Sequence, residues 1–236
     1  MEKFIFAGSI FIAYIVQTIS GFAGNVFAMP IGISLIGLHE SVAVLNIVGF
    51  IFCAILAILN IKSVNWHEFI KICLVLMIFM FLGIWIDTVV QLDVLLKVYG
   101  AIITIIGLKN LIFKNQKILP EWTLWIVLAL SGIIQGMCVS GGALLIIYAI
   151  QKLKDPQEFR ITLVMLWCVL NGIYGAISYF SGHVTPIVTE VVLISLPMVG
   201  LSMILGNILQ KRIPKNKFLT LTYVLLVGIG LSLLIF

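Results

Sequence analysis

The sequence is short of charge. Of its 236 residues, 10% are Asp, Glu, Lys or Arg, while 62% are apolar. Soluble domains carry about 25% charged and about 45–50% apolar residues. A water-exposed fold of this composition would present one continuous apolar patch, so lipid is the solvent the chain is built for. Cysteine is also scarce. Cys53, Cys73, Cys138 and Cys168 lie in apolar runs with no C-x-x-C spacing, and they read as small buried hydrophobes. The three histidines, His39, His67 and His183, show no ligand spacing, so no metal and no cofactor are expected. Arginine occurs twice, as Arg160 and Arg212. Both are placed at helix ends, which leaves no buried arginine in the expected architecture. No clear intramembrane carboxylate offers a proton-coupling group. Neither paired acids nor a nucleophile with a base occurs at membrane depth, which argues against an enzyme. The formal net charge of +5 reads as cytoplasmic loops rather than a nucleic-acid footprint.

What the chain has in abundance is apolar runs. They cover residues 4–38, 42–60, 69–86, 94–108, 122–151, 161–182, 187–210 and 218–236. A spanning helix needs roughly 17–25 apolar residues, and six of the runs suit single crossings. The first, too long for the apolar core of a signal peptide, is read as mature structure. It and the run at 122–151 exceed one crossing. The first is interrupted at Ser20-Gly21-Phe22-Ala23-Gly24-Asn25 and again at Pro30. The other is interrupted at Gly132 and through Gly136-Met137-Cys138-Val139-Ser140-Gly141-Gly142. Glycine costs about 1 kcal/mol in a helix interior, so each long run is expected to form two half-helices meeting at a bend.

Lysine and arginine decide whether such a run crosses or returns, because cytoplasmic loops collect them. With eight single crossings they divide six against eight, which is no preference. With both broken runs returning to the side they came from, they divide twelve against two. The expected fold is therefore an all-α, polytopic transmembrane helix bundle of two repeats, each a broken-helix hairpin plus three crossings. Three crossings make the repeats inverted, a plan used by many secondary transporters. The first repeat is placed at 1–113, a cytoplasmic linker at 114–120 and the second repeat at 121–236, with both termini outside the cell membrane. Weak internal similarity agrees. Ile19-Ser20-Gly21 matches Ile134-Gln135-Gly136, and Leu82-Gly83-Ile84 matches Leu205-Gly206-Asn207.

The stretch Gln17-Thr18-Ile19-Ser20-Gly21-Phe22-Ala23-Gly24, running on to Ala28-Met29-Pro30, resembles the first signature of the TauE/SafE sulfite exporter family, also called the toluenesulfonate uptake permease family. The run from Gly136 to Tyr148 resembles the second signature, continued by Glu158-Phe159-Arg160-Ile161-Thr162-Leu163 and by Asn171. Ala23 and Asn25 depart from the usual small residues, and no proline follows Gly142. The resemblance implies transport of a small anionic organosulfur compound across a bacterial cell membrane.

The candidate site follows from the bends. Irregular backbone in a membrane survives only where it is buried or lines a cavity. Helix N-termini present free N–H groups and a partial positive charge suited to anions. Two such ends near the midplane would hold a sulfonate, sulfite or carboxylate. The substrate-binding candidates are Gln17, Ser20, Gly21, Gly24 and Asn25 in the first bend, with Gln135, Gly136, Ser140, Gly141 and Gly142 in the second. Asn46 and Asn171 are added as intramembrane amides. For the glycines the competing reading is close helix packing, and for the amides an interhelical hydrogen bond. Arg160, beside Asp155 and Glu158, is read as a loop ion pair or helix-end anchor, or else as a cytoplasmic gate residue or an anion attractor, and Trp167 as packing. Expected partners are the small anion and the lipid bilayer, with no nucleic acid, and association into a homo-oligomer is open. A non-transporting membrane subunit or assembly factor is the alternative function.

Overall fold

A computed structural model describes residues 1–87, 92–113, 119–138 and 142–235. Among them are ten α-helices, one short 3-10 turn and no strand. In chain order the helices are α1 (Glu2–Ser20), α2 (Gly24–Ile36), α3 (Leu38–Leu59), α4 (Trp66–Asp87), α5 (Leu92–Phe113), α6 (Glu121–Cys138), α7 (Gly142–Lys152), α8 (Pro156–Phe180), α9 (Pro186–Arg212) and α10 (Lys215–Ile235). Five of them, α1, α3, α4, α8 and α9, are long and apolar enough to cross a membrane. Large apolar side chains stand exposed along them, among them Ile12, Ile58, Ile78, Trp85 and Phe180. In water they would form a liability; against lipid tails they are the expected surface. The chain is an all-α, multi-pass membrane protein.

Local chemistry sets the helix ends. Asp155 accepts the backbone N–H groups of Gln157 and Glu158 at 3.0 and 3.2 Å, and proline fills the first position of α8. Proline again opens α9, where Thr185 accepts from the Val188 N–H. These are the side-chain caps and the proline position that free N-terminal donors favour. α1 stops at Gly21, whose φ of +85° is left-handed and whose N–H returns to the Gln17 carbonyl. Ala23 follows at φ +80°, an αL conformation that costs a residue with a Cβ about 1–2 kcal/mol.

Each broken run folds back on itself. Two contacts show it for the first. Lys3, at the start of α1, pairs with Glu190 in the first turns of α9. His39, at the start of α3, stacks on His183 in the turn joining α8 to α9, with ring centroids 4.7 Å apart. Both feet of the α1–α2 hairpin therefore lie at the α8–α9 turn, and α1 packs along α2, which two halves of a straight rod could not do. The second run repeats the arrangement. Glu121 at the start of α6 pairs with Lys152 at the end of α7, and Gln151 accepts the Leu119 N–H at 2.9 Å. The limbs are unequal rather than matched half-helices. α1 has 19 residues, about 28 Å at 1.5 Å per residue, whereas α2 has 13. Two expected breaks are absent. α2 runs through Pro30, and α6 runs through Gly132, where packing against Phe79 and the Leu76 backbone outweighs a glycine penalty of about 1 kcal/mol.

The chain divides into two compact units that draw on both halves of the sequence. One comprises residues 1–64 and 160–213, the other 65–159 and 214–236. In the first, α1 packs along α9; in the second, α4 packs along α6. Glycine permits both approaches. A Cβ on Gly206 of α9 would meet Thr18 Cβ of α1 at 2.4 Å, and one on Gly83 of α4 would meet the Ile133 carbonyl oxygen of α6 at 2.1 Å. Thr18 and Ile133 hold matching places beside the aligned Ile19-Ser20-Gly21 and Ile134-Gln135-Gly136, and Gly83 and Gly206 align as well. In each unit a glycine of one helix thus lies against the helix it packs along. In the second unit α10 also packs along α5, and Tyr148 of α7 donates to Glu68 of α4 at 2.9 Å.

The hairpin geometry carries a direct test. With cysteines at His39 and His183, mild oxidation is expected to join α3 to the α8–α9 turn, read as a band shift after proteolysis between them. A second run that crossed once would put those positions on opposite faces, and no link would form.

Candidate functional site

The first bend closes on an arginine. Arg160 lies in the second turn of α8, four residues or about 6 Å from Pro156. It is 2% exposed and among the largest fully buried side chains in the protein. Its Nη2 donates to Asn207 Oδ1 of α9 at 3.1 Å. Nε and Nη1 have no partner among the described residues, and no ion pair reaches the guanidinium among them. The expectation that no buried arginine is available is overturned, as is the reading of Arg160 as a loop ion pair. Its place near a helix end was read correctly, but the neighbouring elements cover that end. Asp155 caps α8 through the Gln157 and Glu158 N–H groups.

Buried charges are normally paired, because leaving one unpaired in a low-dielectric interior costs several kcal/mol. An arginine with free donors on two nitrogens is therefore poised for an acceptor that the described residues do not provide. The guanidinium donates only and stays charged at any physiological pH, so the acceptor must be anionic or strongly polar. Planar, forked N–H groups match the oxygens of a carboxylate or a tetrahedral or pyramidal oxyanion.

The bend residues build the wall behind it. A Cβ on Gly21 would lie 2.7 Å from the Arg160 carbonyl oxygen and 2.8 Å from its Cα, so bare glycine backbone lies directly against α8. Ser20 Oγ lies 2.8 Å from the Val16 carbonyl oxygen and 2.7 Å from that of Phe22, and accepts the Phe22 N–H at 3.3 Å. It supplies the hydrogen bonds that the broken helix loses. Gln17 is buried, with its amide oxygen over Gly24, where a Cβ would stand 1.9 Å away. Asn25 Oδ1 accepts from Tyr14 at 2.8 Å, within the hairpin. Asn171 is buried with its amide nitrogen against the bare backbone of Gly49. Asn46 is buried as well: Nδ2 donates back to the Val42 carbonyl at 2.8 Å, while Oδ1 has no partner among the described residues.

These seven candidates belong to one compact unit with Arg160. Gln135, Gly136 and Gly142 belong to the other. There Gln135 is buried on α6 and Gly142 opens α7. A Cβ on Gly136 would meet the Met80 carbonyl oxygen at 2.1 Å, so that glycine serves the α4–α6 crossing. Ser140 and Gly141 lie outside the described residues. The Gly21 bend sits against Arg160, which has about 6 Å of α8 on one side and about 30 Å on the other. Among the described residues, no group of three or more His, Cys, Asp or Glu could hold a metal.

A family model described as Sulfite exporter TauE/SafE matches residues 6–233. The chain belongs to the TauE/SafE sulfite exporter family. Its similarity extends to the probable inner membrane transporter protein TsaS of Comamonas testosteroni, 28% identical over 178 residues that cover 74% of each chain. No solved structure matches the chain. As a TauE/SafE protein with apolar helices of spanning length, it is a membrane transporter. The family motif carried the sequence reading to the Gly21 bend and past Arg160. What it missed was the burial of Arg160, for which the sequence offered one signal: the apolar run of 161–182 begins immediately after it.

Proposed function

We propose that this TauE/SafE protein moves a small oxyanion, sulfite, a sulfonate or a related organosulfur compound, across the bacterial cell membrane, with Arg160 as the group that holds it. The observation that carries this reading is the buried guanidinium with Nε and Nη1 unpartnered. The Gly21 bend gives the ligand a wall without side chains, and Asn207 holds one nitrogen of the fork in place. For Gln135, Gly136, Ser140, Gly141 and Gly142, the support is the sequence motif. In the same reading, residues 1–113 and 121–236 are inverted repeats and both termini face outside, which agrees with the twelve-to-two division of basic residues.

Purified protein in proteoliposomes provides the test. Saturable uptake is expected for at least one of sulfite, thiosulfate and a short alkyl sulfonate, and none for a cation of similar size. If none of the three anions moves above the rate of empty vesicles, the proposal fails.

A further inference from the structure

Arg160 is one end of a series. Along α8, Arg160, Trp167, Asn171, Tyr174 and Ser178 follow one another at spacings of seven, four, three and four residues. At 3.6 residues per turn they fall within an arc of about 60°. Arg160, Asn171, Tyr174 and Ser178 are buried. Trp167 is half-buried, but its indole Nε1 is shielded and has no partner among the described residues. Apolar side chains would pack a membrane helix equally well and leave nothing unpaired. Polar groups in such helices turn inward and mark the routes of polar solutes.

The chemistry of the unpaired groups on this face points to the solute. Guanidinium and indole nitrogens donate hydrogen bonds and accept none. A face whose two unpartnered groups are both pure donors suits a ligand that only accepts, and an oxyanion is such a ligand. Trp167 stands seven residues beyond Arg160, about 10.5 Å along the axis. The two side chains thus leave the helix about two turns apart. A sulfite-sized anion is too small to touch both groups at once.

We propose that the anion crosses in steps along this face of α8, and that the Trp167 indole N–H is the contact that receives it after Arg160. The inference rests on the reading of Arg160 as the anchor. It assigns Trp167 to movement and not to initial binding, and it makes the Asn171 amide, one turn further on and beside the bare backbone of Gly49, the next contact.

The test uses Trp167→Phe, which keeps an aromatic ring and removes the donor, with whichever of sulfite, thiosulfate and a short alkyl sulfonate the unmodified protein moves fastest. Maximal uptake rate in proteoliposomes is expected to fall about tenfold or more, the effect of losing one hydrogen bond to a charged group. The affinity of that anion for the detergent-solubilised variant should stay within about twofold of the parent, since the anchor is untouched; this also shows that the variant folds. An unchanged uptake rate overturns the proposal. So does a joint loss of binding and uptake, which would make Trp167 part of the anchor or of the scaffold. Arg160→Gln separates the two readings. If it binds the anion as tightly as the parent, the anchor itself is wrong, whatever Trp167→Phe does.

Discussion

Arg160→Met is expected to abolish anion binding while leaving the empty protein about as stable as before. The guanidinium offers two unpartnered nitrogens to a ligand. Hydrogen bonds involving a charged group contribute about 1.5–3 kcal/mol each. Losing two of them lowers affinity by roughly a hundredfold at the least, since each 1.4 kcal/mol is about tenfold. Stability should move little, because two effects oppose each other. Replacing buried ionic groups by apolar side chains of similar volume is often neutral or stabilising by about 1–4 kcal/mol, and here no ion-pair partner is left behind among the described residues. Asn207 loses the donor that its Oδ1 accepts from at 3.1 Å, which costs about 1–3 kcal/mol. A thermal-shift series reads both. In the unmodified protein, an anion at about a hundred times its dissociation constant adds about 2.7 kcal/mol, and that increment vanishes in Arg160→Met. Arg160→Lys should fall between the two, since it keeps the charge and loses the fork. A large drop in the stability of the empty Met variant would mean that the guanidinium has protein partners and is not waiting for a ligand. An intact anion response in that variant would mean that the ligand binds elsewhere.

How far the sequence reaches depends on whether a feature is set locally. The two hairpins were legible from the division of basic residues and from the glycine clusters, because loop charge and helix breaking are properties of short stretches. The ends of α1 and α7 bear that out, Gly21 by its left-handed φ and Lys152 by its pairing with Glu121. Pro30 and Gly132 looked like breaks for the same local reason, yet α2 and α6 continue through them. There the tertiary environment decides: Gly132 lies against Phe79 and the Leu76 backbone of α4, and straight packing of α6 outweighs a propensity difference of about 1 kcal/mol. Arg160 was misjudged in the opposite direction. A basic residue four positions into a helix, next to Asp155 and Glu158, has the local pattern of a solvated end. Its burial is produced by Gly21 and Asn207, which lie 139 residues before it and 47 after it, and no window of sequence contains them. The seven-four spacing from Arg160 through Trp167 to Asn171 was legible, but only the missing partners of the first two give it meaning.

The same long-range contact makes Gly21→Ala the substitution that should damage both stability and function. Two costs add. At φ +85° a residue with a Cβ is disfavoured by about 1–2 kcal/mol. The new methyl would also stand 2.7 Å from the Arg160 carbonyl oxygen and 2.8 Å from its Cα. Both are backbone atoms of a long helix, which cannot rotate aside as a side-chain tip can, and overpacking of this kind costs about 1–3 kcal/mol. The variant should therefore lose roughly 2–5 kcal/mol and bind anions more weakly, because the atoms displaced are those from which the guanidinium is suspended. Gly21→Asn separates the two costs. Asparagine tolerates the left-handed region, so it removes part of the dihedral cost and keeps the clash. Gly200→Ala is the matched control, since nothing lies within 4 Å of a Cβ there and its φ is not positive. It should leave the anion affinity where it is and raise stability by about 1 kcal/mol at most, the cost of glycine in a helix interior. If Gly21→Ala behaves like Gly200→Ala in both measurements, the bend does not press against α8. Arg160 would then owe its position to something other than the broken helix.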